Sequence, residues 1–142
     1  MIARGQRLCY GVRDLRDARA EEVMSRRVVT IAGGATVAEA VRCMRAERVS
    51  SLVVERRHAS DAWGIVSRTD VIRKVVTACR ELEDVRVHDI MTKPVVTVSP
   101  GLAVKFCLRL MDMARVRRAV VFDGHGLAGI LSRGDVFAAL SA

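Results

Sequence analysis

From residue 23 onward, apolar and polar positions follow one scheme, and the scheme occurs twice. A short extended run (28–31; 95–98) leads through Gly33-Gly34 or Pro100-Gly101 into a helical pattern. That pattern covers 36–48 in the first copy and 103–115 in the second. Val37, Ala40, Val41 and Met44 fall on one helix face, as do Val104, Cys107, Leu108 and Met111. Two short strands joined by a hairpin come next, at about 51–55 and 62–67, then 118–122 and 127–132. Each copy ends in a near-identical stretch, Gly64-Ile65-Val66-Ser67-Arg68-Thr69-Asp70-Val71 and Gly129-Ile130-Leu131-Ser132-Arg133-Gly134-Asp135-Val136. An apolar strand there runs into a tight turn and a helix that starts at Thr69 or Gly134.

The copies align at an offset of 67 from Val23 to Val54, with twelve of 32 positions identical. Past the second strand the offset falls to 65, so the first copy carries two extra residues within 56–62, where a hairpin turn is expected. The second copy has Asp123-Gly124-His125-Gly126 there. A copy of this size cannot easily bury both faces of its sheet alone. The expected fold is therefore α/β: two pseudo-symmetric repeats packed sheet to sheet with helices outside, placing the two turns in equivalent clefts. The expected division is an arm (1–22), a first repeat (23–82) and a second repeat (83–142). In the arm, Asp14 to Glu22 is a charged stretch with helical character, and the first few residues are expected to be disordered.

Composition narrows the function. The chain is 51% hydrophobic but only 4% aromatic, so its core is built from Val, Leu, Ile, Ala and Met. No apolar run approaches the roughly 20 residues that span a bilayer. Met1 to Arg7 contains no apolar leader core, so the cytoplasm is the expected compartment. Cys9, Cys43, Cys79 and Cys107 form no CxxC pair and no ligand spacing with His58, His88 or His125; neither a metal nor a disulfide is expected. No nucleophile–base–acid series appears either, so no catalytic residues are assigned and an enzyme is not expected. The net charge of +8 raises a nucleic-acid reading. The Arg residues are scattered, however, and are not interleaved with aromatics, which favours a solvated surface with some anion-binding Arg. What remains is the turn. It gathers free backbone N–H groups, a hydroxyl, a guanidinium and a carboxylate, which suits a phosphorylated ribose.

The tandem pattern resembles a pair of cystathionine-β-synthase (CBS) domains, the regulatory Bateman module. The resemblance rests on the Met-Ser/Thr-x-x-Val-Val-Thr-Ile/Val entries at 24–31 and 91–98 and the Arg-Val-x-x-x-Val-Val strands at 48–54 and 115–121. It rests also on the two Gly-Ile-Val/Leu-Ser-Arg-x-Asp-Val turns. It implies a non-catalytic module that binds AMP, ADP or ATP, with S-adenosylmethionine or NAD(H) as alternatives, forms a homodimer and regulates an effector protein. Asp70 and Asp135 would hold ribose hydroxyls. Ser67, Arg68, Ser132 and Arg133 would approach ribose or phosphate, and Arg48 and Arg115 would reach phosphate. The apolar slot for a base would use Thr30, Ile31, Ala35, Ala40, Val49 and Ser50 in the first cleft. Thr97, Val98, Val116 and Arg117 would serve in the second, with Leu102 and Cys107 matching Ala35 and Ala40. Small Ser50 against long Arg117 implies that neutral adenosine prefers the first cleft, while ATP reaches both. Two other classes stand beside this one: a basic nucleic-acid-binding regulator, and a structural dimerisation module with degenerate pockets.

Overall fold

The computed structural model describes residues 9–141. The expectation of disorder at the N-terminus falls on residues 1–8, outside the described residues. The described chain is α/β and carries two three-stranded sheets in two compact units. One unit is continuous, Val29–Val95. The other joins the described residues up to Val28 to those from Val96 on.

In the continuous unit the order is β1 (Thr30–Ile31), α3 (Val37–Glu47), β2 (Ser51–Val54), β3 (Gly64–Ser67) and α4 (Arg68–Val71). Strand β1 pairs parallel with β2, and β2 pairs antiparallel with β3 through Ser51↔Ser67 to Val54↔Gly64. Only Thr30 and Ile31 of the expected four-residue strand join the ladder, opposite Val53 and Val54. Helix α3 begins at a capping box: the Thr36 hydroxyl accepts the Glu39 N–H, and the Glu39 carboxylate accepts the Thr36 N–H. Its apolar face packs Val37, Ala40 and Met44 onto Leu52, Val54 and Val66. Helix α4 widens after one turn into a π-turn over Ile72–Val76, a run that holds β-branched Ile72, Val75 and Val76. A short 3₁₀ turn (Leu82–Asp84) and α5 (Val87–Ile90) close the unit, with Val85, Val87 and Ile90 in its core.

The other unit repeats this order as β4 (Thr97–Val98), α6 (Val104–Ala114), β5 (Arg118–Phe122), β6 (Leu127–Ser132) and α7 (Arg133–Ala138). Preceding them in the chain are α1 (Val12–Asp17) and α2 (Ala20–Val23). The charged stretch from Asp14 to Glu22 is thus two short helices rather than one. The loop entering α6 takes the backbone groups between them: Ala18 C=O accepts from Val104 N–H, and Ala20 N–H donates to Leu102 C=O. The core of this unit gathers Ala20, Met24, Cys107, Met111, Val121 and Leu131.

The entry motifs are exchanged between the repeats. Met91-Thr92, which opens the second repeat in sequence, pairs with the first-repeat sheet through Ile65↔Thr92. Met24-Ser25, which opens the first, pairs with the second-repeat sheet through Ser25↔Ile130. Each Met lies on a glycine: a Cβ at Gly64 would stand 2.7 Å from Met91 Sδ, and one at Gly129 would stand 2.6 Å from Met24 Sδ.

Candidate functional site

Both turns are built alike by their own side chains. In the first, the Ser67 N–H and hydroxyl both donate to Asp70 Oδ2, at 2.9 and 3.0 Å, and the Asp70 N–H donates back to Ser67 Oγ at 3.3 Å. In the second, the Ser132 N–H donates to Asp135 Oδ2 and the Asp135 N–H to Ser132 Oγ, each at 3.0 Å. Ser is therefore the N-cap and Asp the third helical residue of a capping box that aligns the helix start. The box occupies one carboxylate oxygen of each Asp, the inner one, and leaves the other, outer one outside the box. At Asp70 that outer oxygen meets Lys74 Nζ at 3.4 Å, and Lys74 also donates to the Ile90 carbonyl. Residue 139, which matches 74, is Ala, and the outer oxygen of Asp135 has no partner among the described residues.

The residue after each Ser ties the turn to the neighbouring strand. Arg68 N–H donates to Ser50 C=O at 3.1 Å, and Arg133 N–H donates to Arg117 C=O at 3.2 Å. Residues 50 and 117 are thereby fixed beside the two turns. Arg48 and Arg115 are helix C-caps, both in the left-handed region at φ 56°. Glycine would adopt that conformation at lower cost, yet both repeats place Arg there.

Beside the first turn, Arg48, Val49, Ser50 and Arg68 line one depression of about 660 Å³, which neither Ser67 nor Asp70 lines. Val41, Met44, Val71, Ile72 and Val76 form its apolar floor, and Arg45 stands on its wall. The other residues expected to form the first site lie apart from it. Thr30 is exposed and donates to Glu55, Ala35 is partly buried at the core edge, and Ala40 is fully buried within the core. Ile31 packs against the same core.

In the other unit, Thr97, Arg117 and Arg133 are exposed, Val98 is 4% exposed and Val116 packs on the core. Leu102 also packs there. Cys107 is fully buried, which pushes its thiol pKa up. Arg133 is ion-paired with Asp112. Arg45, Lys74 and Asp112 were not among the sequence candidates. The signal for the first and last was a charge reversal at one register: position 45 is Arg and position 112, which matches it, is Asp. The signal for Lys74 was its i,i+4 spacing from Asp70.

Two βαββα halves, each closed by the same capped turn, define a tandem-repeat α/β protein. The CBS domain model matches residues 20–77 and 87–142, and the chain belongs to that family. The CBS domain-containing protein CBSX3, mitochondrial, of Arabidopsis thaliana is 34% identical, over 74% of this chain and 52% of its own length. An uncharacterized protein of Methanopyrus kandleri is 30% identical, over 86% of this chain and 62% of its own. The chain thus spans about half to three fifths of these two relatives. An inosine-5'-monophosphate dehydrogenase of Korarchaeum cryptofilum matches at 33% identity over only 24% of its length. Among solved structures, a hexameric CBS-CP12 protein from bloom-forming cyanobacteria is 43% identical, with TM-score 0.81 over 84% of this chain and 69% of that one. A putative signal-transduction protein with CBS domains from Burkholderia ambifaria is 31% identical, with TM-score 0.69 over 90% and 91%. No helix among the described residues is long and apolar enough to cross a membrane.

Proposed function

We propose that the chain is a non-catalytic regulatory module that binds an adenosine-containing ligand at its Ser-Arg-x-Asp turns and passes the bound state to a protein partner. The observation that carries this reading is the twice-built turn. In both units a capping box uses one oxygen of an Asp, with an Arg in the same turn and a left-handed Arg C-cap at the end of the preceding long helix. A carboxylate oxygen accepts from a ribose hydroxyl, and guanidinium suits phosphate through charge-assisted, often bidentate bonds. Non-glycine residues in the left-handed region are costly, and such strain concentrates where a side chain has a task. AMP, ADP and ATP are the first ligands to test, with S-adenosylmethionine and NAD(H) after them. Signalling follows if the ligand binds one conformation better than another.

Calorimetric titration tests the reading. Asp70→Ala and Asp135→Ala should each weaken AMP or ATP binding at its own turn by about 10- to 150-fold, the loss of one charge-assisted hydrogen bond. Unchanged affinity in both folded variants removes the turns from the site.

Self-association is part of the same proposal. Phe106, Leu110 and Met113 form one stripe along α6, 42%, 41% and 76% exposed, and Phe137 on α7 is 79% exposed. The Arg133–Asp112 pair holds the start of α7 against the end of α6. Arg109 lies over the Phe106 ring of the stripe, where it can meet a carboxylate of a second copy. The hexameric state in the name of the CBS-CP12 relative supports assembly of copies.

A further inference from the structure

We propose that the depression between α3 and α4 is a polyphosphate subsite. In it, Arg45 favours nucleoside di- and triphosphates at the first repeat, while Asp112 withdraws that preference from the second. This rests on the adenosine reading above and names the ligand class at that site. Arg45, Arg48 and Arg68 line a single cavity of about 660 Å³, and none of them has an ion-pair partner among the described residues. Three guanidinium groups around one apolar floor repel one another and lack counter-charge. Phosphate oxygens supply that charge, and Met44 and Val71 give the depression an apolar floor beneath them. Lys74, at 3.4 Å from Asp70, adds a fourth cation at the first turn against one carboxylate. At the second turn Arg115, Arg117 and Arg133 stand against two carboxylates, Asp112 and Asp135. One of the two, Asp112, is already paired with Arg133. A β- or γ-phosphate arriving there would have to displace that carboxylate, or lie beside it. Residues 45 and 112 occupy the same register of the repeat, and this charge reversal adds to the differences at 50/117 and 74/139.

The test is calorimetric titration of the full chain with AMP, ADP, ATP and inorganic tripolyphosphate at fixed ionic strength. The proteins are wild type, Arg45→Ala, Asp112→Arg and a control, Arg13→Ala, which removes one charge outside the depression. At the first repeat, Arg45→Ala should lower ATP affinity about tenfold or more and AMP affinity by less than about threefold. Asp112→Arg should raise ATP affinity at the second repeat, and Arg13→Ala should change neither. Equal losses for AMP and ATP in folded Arg45→Ala overturn the subsite, as does an equal ATP loss in Arg13→Ala. If wild type binds none of AMP, ADP and ATP, the adenosine reading fails. Tripolyphosphate then decides the subsite alone: saturable, Arg45-dependent binding sustains it, and absence of binding overturns it.

Discussion

At the scale of single residues, the two glycines beneath the entry methionines are under unequal constraint. A Cβ at Gly64 would meet a flexible Met91 Sδ at 2.7 Å, with Val54 Cβ next at 3.3 Å. A Cβ at Gly129 would meet Met24 Sδ and also the Ser25 carbonyl oxygen, both at 2.6 Å. A thioether can swing aside; a carbonyl in a bridge with Ile130 cannot. Gly129→Ala should therefore cost about 1–3 kcal/mol, the usual range for overpacking, and Gly64→Ala should cost less, as read from urea unfolding midpoints. Asp61 adds a pH dependence. Its side chain is 9% exposed and accepts from Lys93 at 2.7 Å and from the Arg57 N–H at 3.0 Å. The bond from Lys93, then that from the Arg57 backbone, hold its pKa well below the usual carboxylate range. The folded state thus resists protonation more than the unfolded chain does. The stabilisation is complete above the unfolded pKa of about 4 and fades as pH falls below it. Asp61→Asn should lower the melting temperature at pH 7, and that difference from wild type should shrink by pH 3. The two residues that lengthen this loop were visible as an offset change, but the ion pair with Lys93 was not. It joins positions far apart in sequence, and no repeat spacing marks it.

At the scale of elements, legibility followed how local each signal was. Strands β5 and β6 fall on the expected residues because a polar turn bounds them; Asp123 accepts the N–H groups of His125 and Gly126, and Gly124 has φ 92°. Helices α3 and α6 are as expected once their caps are counted, since the apolar period marks both and the Thr36–Glu39 box marks the start of α3. The π-turn after α4 carried no local mark beyond its β-branched residues. Nor did the break between α1 and α2, which depends on bonds to the loop before α6. The candidate site divides in the same way. The Ser-Arg-x-Asp turns are local and repeated, so they were legible. The base slot was drawn from neighbours in sequence, and Ala40 and Val98 turn inward instead. Element-scale stability is testable at α3. Thr36→Ala removes the hydroxyl that accepts the Glu39 N–H and should cost about 1 kcal/mol in chemical unfolding. Helix α6 has no side-chain cap at Ala103, so Ala103→Ser there should be neutral or stabilising.

At the scale of the whole molecule, the exposed α6 stripe predicts association. Met113→Asp would place a charge on it and Phe137→Asp one on exposed α7, where burial without a partner is costly. Each variant should shift the light-scattering mass of the protein, at tens of micromolar, from a multimer toward the single chain. Wild type that scatters as a single chain at that concentration would remove the homodimer. The exchanged entries bear on synthesis at the ribosome. All the backbone pairing partners of the Val29–Val95 sheet have left the exit tunnel once Thr92 is out. Ala18, Ala20 and Ser25 emerge earlier, but their backbone partners Val104, Leu102 and Ile130 follow only later. Such a wait costs little at equilibrium, since doubling a loop adds only about 0.6 kcal/mol. Its cost is kinetic: α1, α2 and Met24 remain open to other contacts until β6 is made.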